Sequence, residues 1–528
     1  MLMLILLLVA AVFLFYYFMV KPLDYWKDRG VKQGNPMWIA GDNWGILSRT
    51  ESSVKMLQRV YNQCPDVRYS GMYQFLVPAL VVKDPDLIKQ ITVKDFDHFT
   101  DHKSIFPETA EPLWGKNLIF LKGQKWRDMR TILSPSFTTS KIKTMFFLIS
   151  ECAENFVQHF LKKKEDVVTV EFKDIFTRFT NDVIASTAFG IQVDSLAQPN
   201  NTFYLLGKEA TNLDSFKNIF KFFAYFVFPR ISNFLKIQLF SNEVRASFQK
   251  IVKDTIKMRE EKNIVRQDMT NLLLEAKKGV QKQEENDVID TGLPTAKESD
   301  LMKSTKPPTE ITDVDIAAQA MIFFFAGFES VSTLMCFLAY ELAANPDIQD
   351  RLREEIRSAL EKCEGKLTYE DILEMKYMDM VVSEALRKWP STIATDRVCT
   401  KPYTIEPTTP GEVPLYLEKG TLIMLPIYSI HHDPKYFPNP ERFDPERFSD
   451  ENKGDIKPYT YFPFGVGPRN CIGSRFALLE TKIVIFHILK NFELVPVEKS
   501  RIPLQICRKR FNMTAEGGLW FGLKRISE

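Results

Sequence analysis

The sequence predicts a mainly α-helical protein, in which an N-terminal membrane anchor is followed by one large helical domain. Two observations support this fold class. The 528 residues contain no internal repeat, and the composition shifts markedly only at residue 20 and around residues 277–310. One large domain fits this uniformity better than several independent domains do. We therefore assign residues 1–20 to the anchor, residues 21–45 to a linker and residues 46–528 to the large domain.

The net charge and the number of cysteines argue against a nucleic-acid-binding protein and against a disulfide-rich secreted protein. A formal net charge of +2 gives no global attraction to nucleic acid, so any electrostatic docking must be local. The seven cysteines are odd in number and widely scattered, which argues against a disulfide framework. We therefore expect no nucleic-acid partner, and we expect the large domain to lie in a reducing compartment.

The anchor is the unbroken apolar and aromatic run from Leu2 to Val20. As a helix it would be about 28 Å long, which is enough to cross the hydrocarbon core of a bilayer. A cleaved signal peptide is the alternative, because Ala10 and Ala11 are small, but no Lys or Arg precedes the run. Positive charge follows it instead, at Lys21, Lys27, Arg29 and Lys32. The positive-inside rule then places the large domain in the cytosol.

Two short elements and one basic helix are predicted before residue 140. Residues 69–82 mix aromatic and β-branched residues with Gly and Pro, which favours a hairpin, and Asp84 is placed to cap the helix that follows. Trp126 and Arg130 are four residues apart, so they would share one face of a helix. An amphipathic helix with a solvated basic face explains the same two residues equally well.

Residues 145–265 favour several helices, and one of them is rich in phenylalanine. The stretch from Phe216 to Phe228 contains six phenylalanines, a run too continuous for one amphipathic stripe, and Pro229 ends it. An apolar lid over a substrate channel and a packed core element both explain this run. Residues 277–310 are polar, charged and contain prolines, so they are predicted to form a solvated surface loop.

A long helix is predicted from about residue 313 to Ala344. Thr312 and Asp315 have the spacing of a capping box at its start, and Pro346 follows its end. The centre of this helix reads Ala326-Gly-Phe-Glu-Ser330.

Three features of this centre indicate a functional site. A glycine inside a helix costs roughly 1 kcal/mol relative to alanine, which a flat ligand or dioxygen close to the backbone would explain. Ile322, Ala326 and Ser330 fall on one face. Glu329 and Ser330 place an acid beside an alcohol, so together they could relay protons. The alternative, a small-residue helix crossing, is common for an isolated Ala-Gly pair.

The loop from Phe464 to Gly473 carries one cysteine, Cys471, among residues that would hold its sulfur still. Gly467 and Gly473 allow a tight backbone turn, Arg469 adds positive charge, and Phe464 can shield the sulfur. Haem iron needs one protein ligand on its proximal side, whereas a zinc site or an iron–sulfur cluster needs three or four.

An ordinary buried cysteine is the alternative interpretation of Cys471. The five fixed residues of this loop would match by chance on the order of once in 10,000 chains of this length. The loop resembles the haem-binding signature of the cytochrome P450 family, FxxGxRxCxG, at every fixed position.

Other stretches resemble motifs of that family in the same order along the chain. Residues 326–330 resemble its oxygen-activation motif, (A/G)GxxT, except that Ser330 stands where threonine is usual. Serine keeps the hydroxyl but loses the methyl group that limits χ1. We therefore expect retained turnover with poorer coupling. Glu384 and Arg387, followed by Arg447 in Pro445-Glu-Arg-Phe448, resemble the family's structural Glu-Arg-Arg triad.

The resemblance implies a P450 fold with small β-sheets and haem b between the long helix and the cysteine loop. It makes Cys471 the iron ligand and places Trp126, Arg130 and Arg397 at the haem propionates. The remaining cofactor-binding residues implied are Arg469, Phe464, Gly467, Gly473 and Ala326. The residues that would line an apolar substrate pocket are Ile119, Phe120, Ile322, Phe325, Thr395 and Thr514, with the loop Ser391–Thr395 and the segment Met513–Ala515.

The implied activity is monooxygenation of lipophilic substrates with electrons from NADPH, delivered by NADPH-cytochrome P450 reductase and possibly cytochrome b5. The implied location is the endoplasmic reticulum membrane, with a single span. The wording FFFAGFES and PNPERFDPERF most resembles the microsomal clan of vertebrate family 3 and insect families 6 and 9, and residues 25–30 and 95–99 resemble insect family 9.

Several interpretations of function stay open at this level. Xenobiotic oxidation, for example of plant toxins or insecticides, stands beside oxidation of an endogenous lipid or hormone. A haem-thiolate isomerase that uses no dioxygen would keep the cysteine loop but would not need the acid–alcohol pair. A membrane-tethered haem sensor would need no reductase.

Overall fold

The structure is a computed structural model that describes residues 1–104, 106, 108–212, 215–262, 269–277, 311–510 and 512–526. The surface loop predicted for residues 277–310 lies outside these residues, apart from Lys277 at the end of a helix.

Helices make up most of the described chain, as the sequence predicts. The first half contains α1 (Leu2–Phe15), α2 (Trp44–Leu47), α3 (Ser53–Asn62), α4 (Pro85–Lys89), α5 (Pro112–Gly115), α6 (Gly123–Leu133), α7 (Thr139–Leu161), α8 (Phe172–Ile184), α9 (Thr202–Thr211), α10 (Phe216–Val227), α11 (Pro229–Phe234), α12 (Asn242–Glu261) and α13 (Met269–Lys277). The second half contains α14 (Asp313–Ala326), α15 (Ser332–Ala344), α16 (Pro346–Lys362), α17 (Tyr369–Glu374), α18 (Lys376–Lys388), α19 (Ile427–His431) and α20 (Ser474–Asn491).

Three small sheets flank the helices. The strands are β1 (Tyr69–Gln74), β2 (Val77–Val82), β3 (Val167–Glu171), β4 (Thr395–Val398), β5 (Tyr403–Ile405), β6 (Leu415–Leu417), β7 (Leu422–Leu425), β8 (Phe492–Val495) and β9 (Trp520–Arg525). Their orders are β1-β2-β7-β4, β3-β9-β8 and β5-β6. The predicted hairpin at 69–82 is confirmed, because β1 and β2 pair antiparallel from Tyr69–Val82 to Gln74–Val77.

The predicted long helix is confirmed as the core element. It consists of α14, a π-helical turn at Gly327–Val331 and α15. The capping box is present: the Asp315 N–H donates to Thr312 Oγ1 at 3.2 Å, and the Thr312 N–H donates to Asp315 Oδ2 at 2.9 Å. The helix is long and apolar enough to cross a membrane, but two thirds of it is buried within the protein, so it is a core helix.

The N-terminal apolar helix has the opposite environment. The span Leu2–Asp24 has a mean hydropathy of 2.7, and none of its apolar window is buried within the protein. This helix is a candidate membrane anchor. Phe15 near its end meets the ring of Trp38 edge-on at 6.2 Å, so the helix contacts the residues that follow it.

Residues 21–45 are packed on the large domain, which differs from the expected linker. Trp26 has 0% exposure, and its indole N–H donates to the Met72 carbonyl of β1 at 3.3 Å. The buried carboxylate of Asp42 accepts from the Tyr73 N–H at 2.8 Å. Polar composition suggested a linker, but a few large apolar residues bury enough surface to order the segment.

The Phe-rich stretch forms α10 and ends where expected, because α11 begins at Pro229. Phe222 and Tyr225 pack against Phe106 with ring centroids 5.3 Å and 4.7 Å away, whereas Phe220 is 62% exposed. The helix therefore has one packed face and one solvent-exposed apolar face.

His431 and His432 lie at the end of α19 and are buried. His431 Nε2 accepts from the Phe462 N–H at 3.1 Å, just ahead of the cysteine loop. The His432 ring stacks on Tyr428 at 3.9 Å. Burial is the main reason why the pKa of His431 lies well below its usual value and that of His432 falls to about 3.

The lowered pKa values of these two histidines predict that the protein loses stability in acid. Unfolded His432 takes up a proton below about pH 6.5, whereas the folded side chain resists it down to about pH 3, so stability is lost as the pH falls through this window. We expect His432→Gln to destabilise the protein at pH 7.5, and this difference to shrink by about 2 kcal/mol by pH 5. Urea unfolding of the full chain in detergent measures both values. A difference that stays constant with pH would contradict the assignment.

Candidate functional site

Cys471 lies in a loop whose backbone is shaped by two glycines. Gly465 and Gly467 both have φ of +75°, which side chains with a Cβ rarely adopt. A Cβ on Gly467 would also lie 2.0 Å from the Thr92 carbonyl oxygen. The Cys471 N–H donates to the Phe464 carbonyl at 2.8 Å and closes the turn.

The tight-turn argument fails for Gly473. Its φ is −96°, and an added Cβ would lie 3.7 Å from the nearest protein atom, in the ring of Phe137. The protein's own contacts therefore leave room for a side chain at this position.

The pKa of the Cys471 thiol is set by opposing influences. The side chain is exposed, yet burial among protein atoms raises the pKa of its thiol. The Gly473 N–H and the charge of Arg130 oppose that shift. The sequence pointed to Arg469 as the charge near the sulfur, and in the structure the charge of Arg130 also lowers the pKa of this thiol.

Arg469 instead ties the cysteine loop to the segment before α6. Its guanidinium donates to the carbonyls of Thr100 at 2.7 Å, Leu118 at 3.2 Å, Ile119 at 3.2 Å and Leu121 at 2.7 Å. It also lies 4.0 Å from the centre of the Trp126 ring, a cation–π contact.

Arg130 and Arg397 complete a group of three buried arginines. Arg130 lies on the same face of α6 as Trp126, and it donates to the backbone and side-chain oxygens of Asn470, both at 2.9 Å. Arg397 has 0% exposure and donates to the Val466 carbonyl at 3.0 Å. Among the described residues, its Nε finds no hydrogen-bond partner.

The three arginines carry more positive charge than their surroundings offset. Burial lowers the pKa of Arg397 to about 10, and burial together with the charges of Arg397 and Arg130 lowers that of Arg469 to about 8. Two carboxylates are close: Asp101 lies 3.7 Å from Arg469, and Asp396 also pairs with His102 at 3.0 Å. Such a group favours binding of an anion with more than one charge.

The predicted triad residues lie together. Arg387 donates to both carboxylate oxygens of Glu384, at 2.7 Å and 2.8 Å, and neither side chain is exposed. Arg447 Nε lies 3.6 Å from Glu384 Oε1. Arg387 also donates to the carbonyls of His431 at 2.8 Å and Pro440 at 2.7 Å, so the pair links α18, α19 and the segment before the cysteine loop.

Gly327 does not serve close approach of a ligand, which corrects the sequence-based explanation. A Cβ there would lie 2.5 Å from Cδ1 of Ile184, so the glycine allows the central helix to cross α8 closely. Ala326 is the residue that faces open space, because it is exposed in the middle of a helix whose neighbours are mostly buried. Ile322, one turn before it, is buried.

Glu329 and Ser330 use different partners in this structure. The Ser330 hydroxyl donates to the Ala326 carbonyl at 2.6 Å, and its own carbonyl accepts from Ser391 Oγ at 2.7 Å. Glu329 Oε1 lies 3.1 Å from Lys173 Nζ of α8 and accepts from the side-chain amide of Asn512 at 3.3 Å.

The residues predicted to line an apolar pocket are only partly brought together. Trp114 joins two of them, stacking on Phe120 at 5.0 Å and meeting Phe325 edge-on at 5.8 Å. Ile119 is exposed, with its carbonyl bound to Arg469. Thr395 begins β4, and Thr514 is half-buried near the C-terminus.

Comparison with known proteins identifies the family. The cytochrome P450 family model matches residues 33–520. The chain belongs to the cytochrome P450 family. It is 46% identical to cytochrome P450 9e2 of Blattella germanica over 95% of this chain and 94% of the relative. It is 43% identical to probable cytochrome P450 9f2 of Drosophila melanogaster, over 97% and 96%, and 36% identical to cytochrome P450 6k1 of Blattella germanica, over 96% and 93%.

The insect family 9 likeness read from the sequence is confirmed, and so is the P450 fold. The protein is an oxidoreductase of the monooxygenase class, and its family implies haem as cofactor. The residues present fit this group. Haem carries two propionates and an iron that takes one axial thiolate, which suits the buried arginines and Cys471. Among the described residues, no three His, Cys, Asp or Glu side chains cluster as a separate metal site.

Sequence reasoning missed two residues that position this P450 site. Gln319, buried in α14, accepts from the Leu118 N–H and donates to the Lys116 carbonyl, both at 2.8 Å, and so fixes the segment before Phe120. No sequence motif singles out Trp114. Gln319 did give a signal, because it is a polar residue inside an apolar helix, where a buried amide needs hydrogen-bond partners.

The two glycines of the P450 loop predict different costs of substitution. Gly465→Ala meets only the strain of a positive φ, about 1–2 kcal/mol. Gly467→Ala meets the same φ and also displaces the Thr92 carbonyl, so we expect a larger loss of stability and of haem content. Thermal unfolding and the haem-to-protein ratio of the two variants measure this. Equal losses would show that contact with Thr92 does not restrict the loop.

Proposed function

We propose that this P450 inserts one atom of dioxygen into lipophilic small molecules, with electrons from NADPH delivered by NADPH-cytochrome P450 reductase. The observation that carries the proposal is Cys471, held by the family's signature loop beside three buried arginines. Cytochrome b5 is a second candidate electron donor.

Haem bound to Cys471 supplies the oxidising chemistry, since a thiolate ligand favours cleavage of the O–O bond. The chain's part is to hold it. Cys471 Sγ would bind the iron, and the Gly473 N–H would keep the sulfur anionic. Arg130, Arg397 and Arg469 would neutralise the propionates beside Trp126. Ala326 offers a small, exposed face on the central helix.

Glu329 and Ser330 are proposed to supply the protons that the reaction consumes. Both lie in the π-helical turn, a feature that frequently marks functional sites. Glu329 is only partly buried, with 17% of its side chain exposed, so it can exchange protons with solvent. The Ser330 hydroxyl, on the same stretch of helix as Ala326, would pass them into the pocket.

The substrates are proposed to be hydrophobic. Phe120, Ile322 and Phe325 are apolar, and Trp114 packs against two of them. The relatives are insect enzymes of families 9 and 6, which favours oxidation of foreign compounds such as plant toxins or insecticides. Oxidation of an endogenous lipid or hormone uses the same pocket chemistry and is the second candidate.

The enzyme is proposed to sit on the endoplasmic reticulum membrane through one span, with the large domain in the cytosol. The exposed apolar helix α1 and the basic residues after it support this orientation. The apolar surface of α10 and α11, which exposes Phe220, Ile231 and Phe234, supports the proposal of a lid close to the bilayer.

The ligand role of Cys471 predicts a spectrum. We expect the reduced, CO-bound protein in microsomes to show a strongly red-shifted Soret band, because Cys471 would supply a thiolate ligand to the haem iron. Cys471→Ala should abolish this band, and Cys363→Ala, at a half-buried cysteine elsewhere, should keep it. Folded, haem-loaded protein without the band would refute the assignment.

Ser330 predicts incomplete coupling. Without the methyl group of threonine its hydroxyl is less restricted in χ1, and it donates to the Ala326 carbonyl in this structure. We expect Ser330→Thr to release less hydrogen peroxide per product than the native enzyme when assayed with reductase and NADPH. Equal or better coupling in the native enzyme would rule out this role of the side chain.

A further inference from the structure

Lys173 of α8 contacts the π-helical turn that carries the acid–alcohol pair. Its ammonium donates to Ser332 Oγ at 2.9 Å and to Thr333 Oγ1 at 3.0 Å, and it lies 3.4 Å from the Glu329 carbonyl. The same nitrogen is 3.1 Å from Glu329 Oε1. One side chain thus contacts both the backbone and the carboxylate of Glu329.

Hydroxyl groups satisfy the carbonyls of this widened turn. The hydrogen bonds are Ser330 to Ala326 O at 2.6 Å, Ser332 to Phe328 O at 2.7 Å, Thr180 of α8 to Phe328 O at 3.1 Å and Thr333 to Glu329 O at 2.8 Å. Lys173 bonds two of these hydroxyls, so the turn and the lysine form one network. Networks of this kind restrict side chains to one arrangement.

The ion pair between Lys173 and Glu329 is partly buried. The side chains of Lys173 and Glu329 are 26% and 17% exposed, so solvent screens the pair less than it screens a surface pair, while water still reaches it. Asn512 contacts the same Glu329 oxygen at 3.3 Å. Together the two residues hold the carboxylate on the α8 side of the central helix.

We infer that Lys173 is a positioning residue for proton delivery, and this rests on the proposed role of Glu329 and Ser330. Glu329, protonated from solvent, would give its proton to Ser330 Oγ while that hydroxyl gives its own proton to the oxygen being reduced in the pocket. The Glu329 carboxylate is then protonated again from solvent. Lys173 acts through the Glu329 carboxylate, whose starting position relative to Ser330 it fixes.

The test compares coupling in the full-length, haem-loaded enzyme with reductase. The variants are Lys173→Met, Lys173→Gln, Lys173→Arg, Glu329→Gln and the double variant of Lys173→Met with Glu329→Gln. Arg178→Met is the matched control, because it removes an α8 cation that pairs with Asp174 rather than with Glu329. Product and peroxide per NADPH are the readouts, with haem content and the CO spectrum as checks of folding.

We expect Lys173→Met and Lys173→Gln to raise peroxide per product by roughly twofold to fivefold, the size of effect that such an ion pair supports. Lys173→Arg should retain the coupling of the native enzyme, and Arg178→Met should not alter it. The double variant should match Glu329→Gln alone. A purely structural lysine would instead add its effect to that of Glu329→Gln.

Two negative results are distinguishable. If Glu329→Gln uncouples the reaction and neither neutral Lys173 variant does, the inference about Lys173 is overturned and the proposed role of Glu329 stands. If Glu329→Gln leaves coupling unchanged, the proposed proton role fails, and the inference about Lys173 fails with it.

Discussion

The buried ion pair of Glu384 and Arg387 is the constraint on which the cofactor side of the molecule depends. Two charges taken out of water are tolerated only when nearly every hydrogen-bonding site on them is used. Arg387 meets this condition by donating to backbone carbonyls outside its own helix as well as to Glu384. One of those carbonyls belongs to His431, whose ring accepts from Phe462 just before the cysteine loop. The Glu384–Arg387 pair, which is distant in sequence, therefore helps to fix the position of the cysteine loop.

On the other side of the loop the charges are not balanced. Arg130, Arg397 and Arg469 repel one another in a region that burial makes costly for cations. This arrangement makes the site a good receptor for an anionic cofactor, at some expense of stability in the protein alone. The order of the loop and the proposed affinity for the cofactor would therefore depend on different residues. The Glu384–Arg387 pair orders the loop, and the three arginines are the proposed partners of the propionates.

Local signals in the sequence were sufficient to predict several of the elements and the family. The capping box at Thr312, the hairpin and the fixed residues around Cys471 depend on neighbours within a few positions. What each side chain touches depends on distant segments and could not be predicted. Arg469 was expected to serve the sulfur but binds carbonyls some 350 residues earlier.

Two further differences have the same physical origin. Gly327 packs against Ile184 on another helix, and residues 21–45 pack against β1. Neither packing partner can be predicted from the neighbouring residues in the sequence. Lys173 carried no motif, because an isolated lysine at the start of a helix is ordinary until the fold places it against Glu329.

The carbonyls bound by Arg469 have a consequence for how the enzyme meets its substrates. Leu118, Ile119 and Leu121 belong to the segment beside the proposed substrate pocket, and Arg469 belongs to the loop proposed to hold the cofactor. A shared hydrogen-bonding residue makes the two sites thermodynamically linked, and such linkage is reciprocal. On the proposed assignment of the two sites, a lipophile that orders this segment would also slow the loss of haem. Retention of the cofactor would then depend on which substrate is bound.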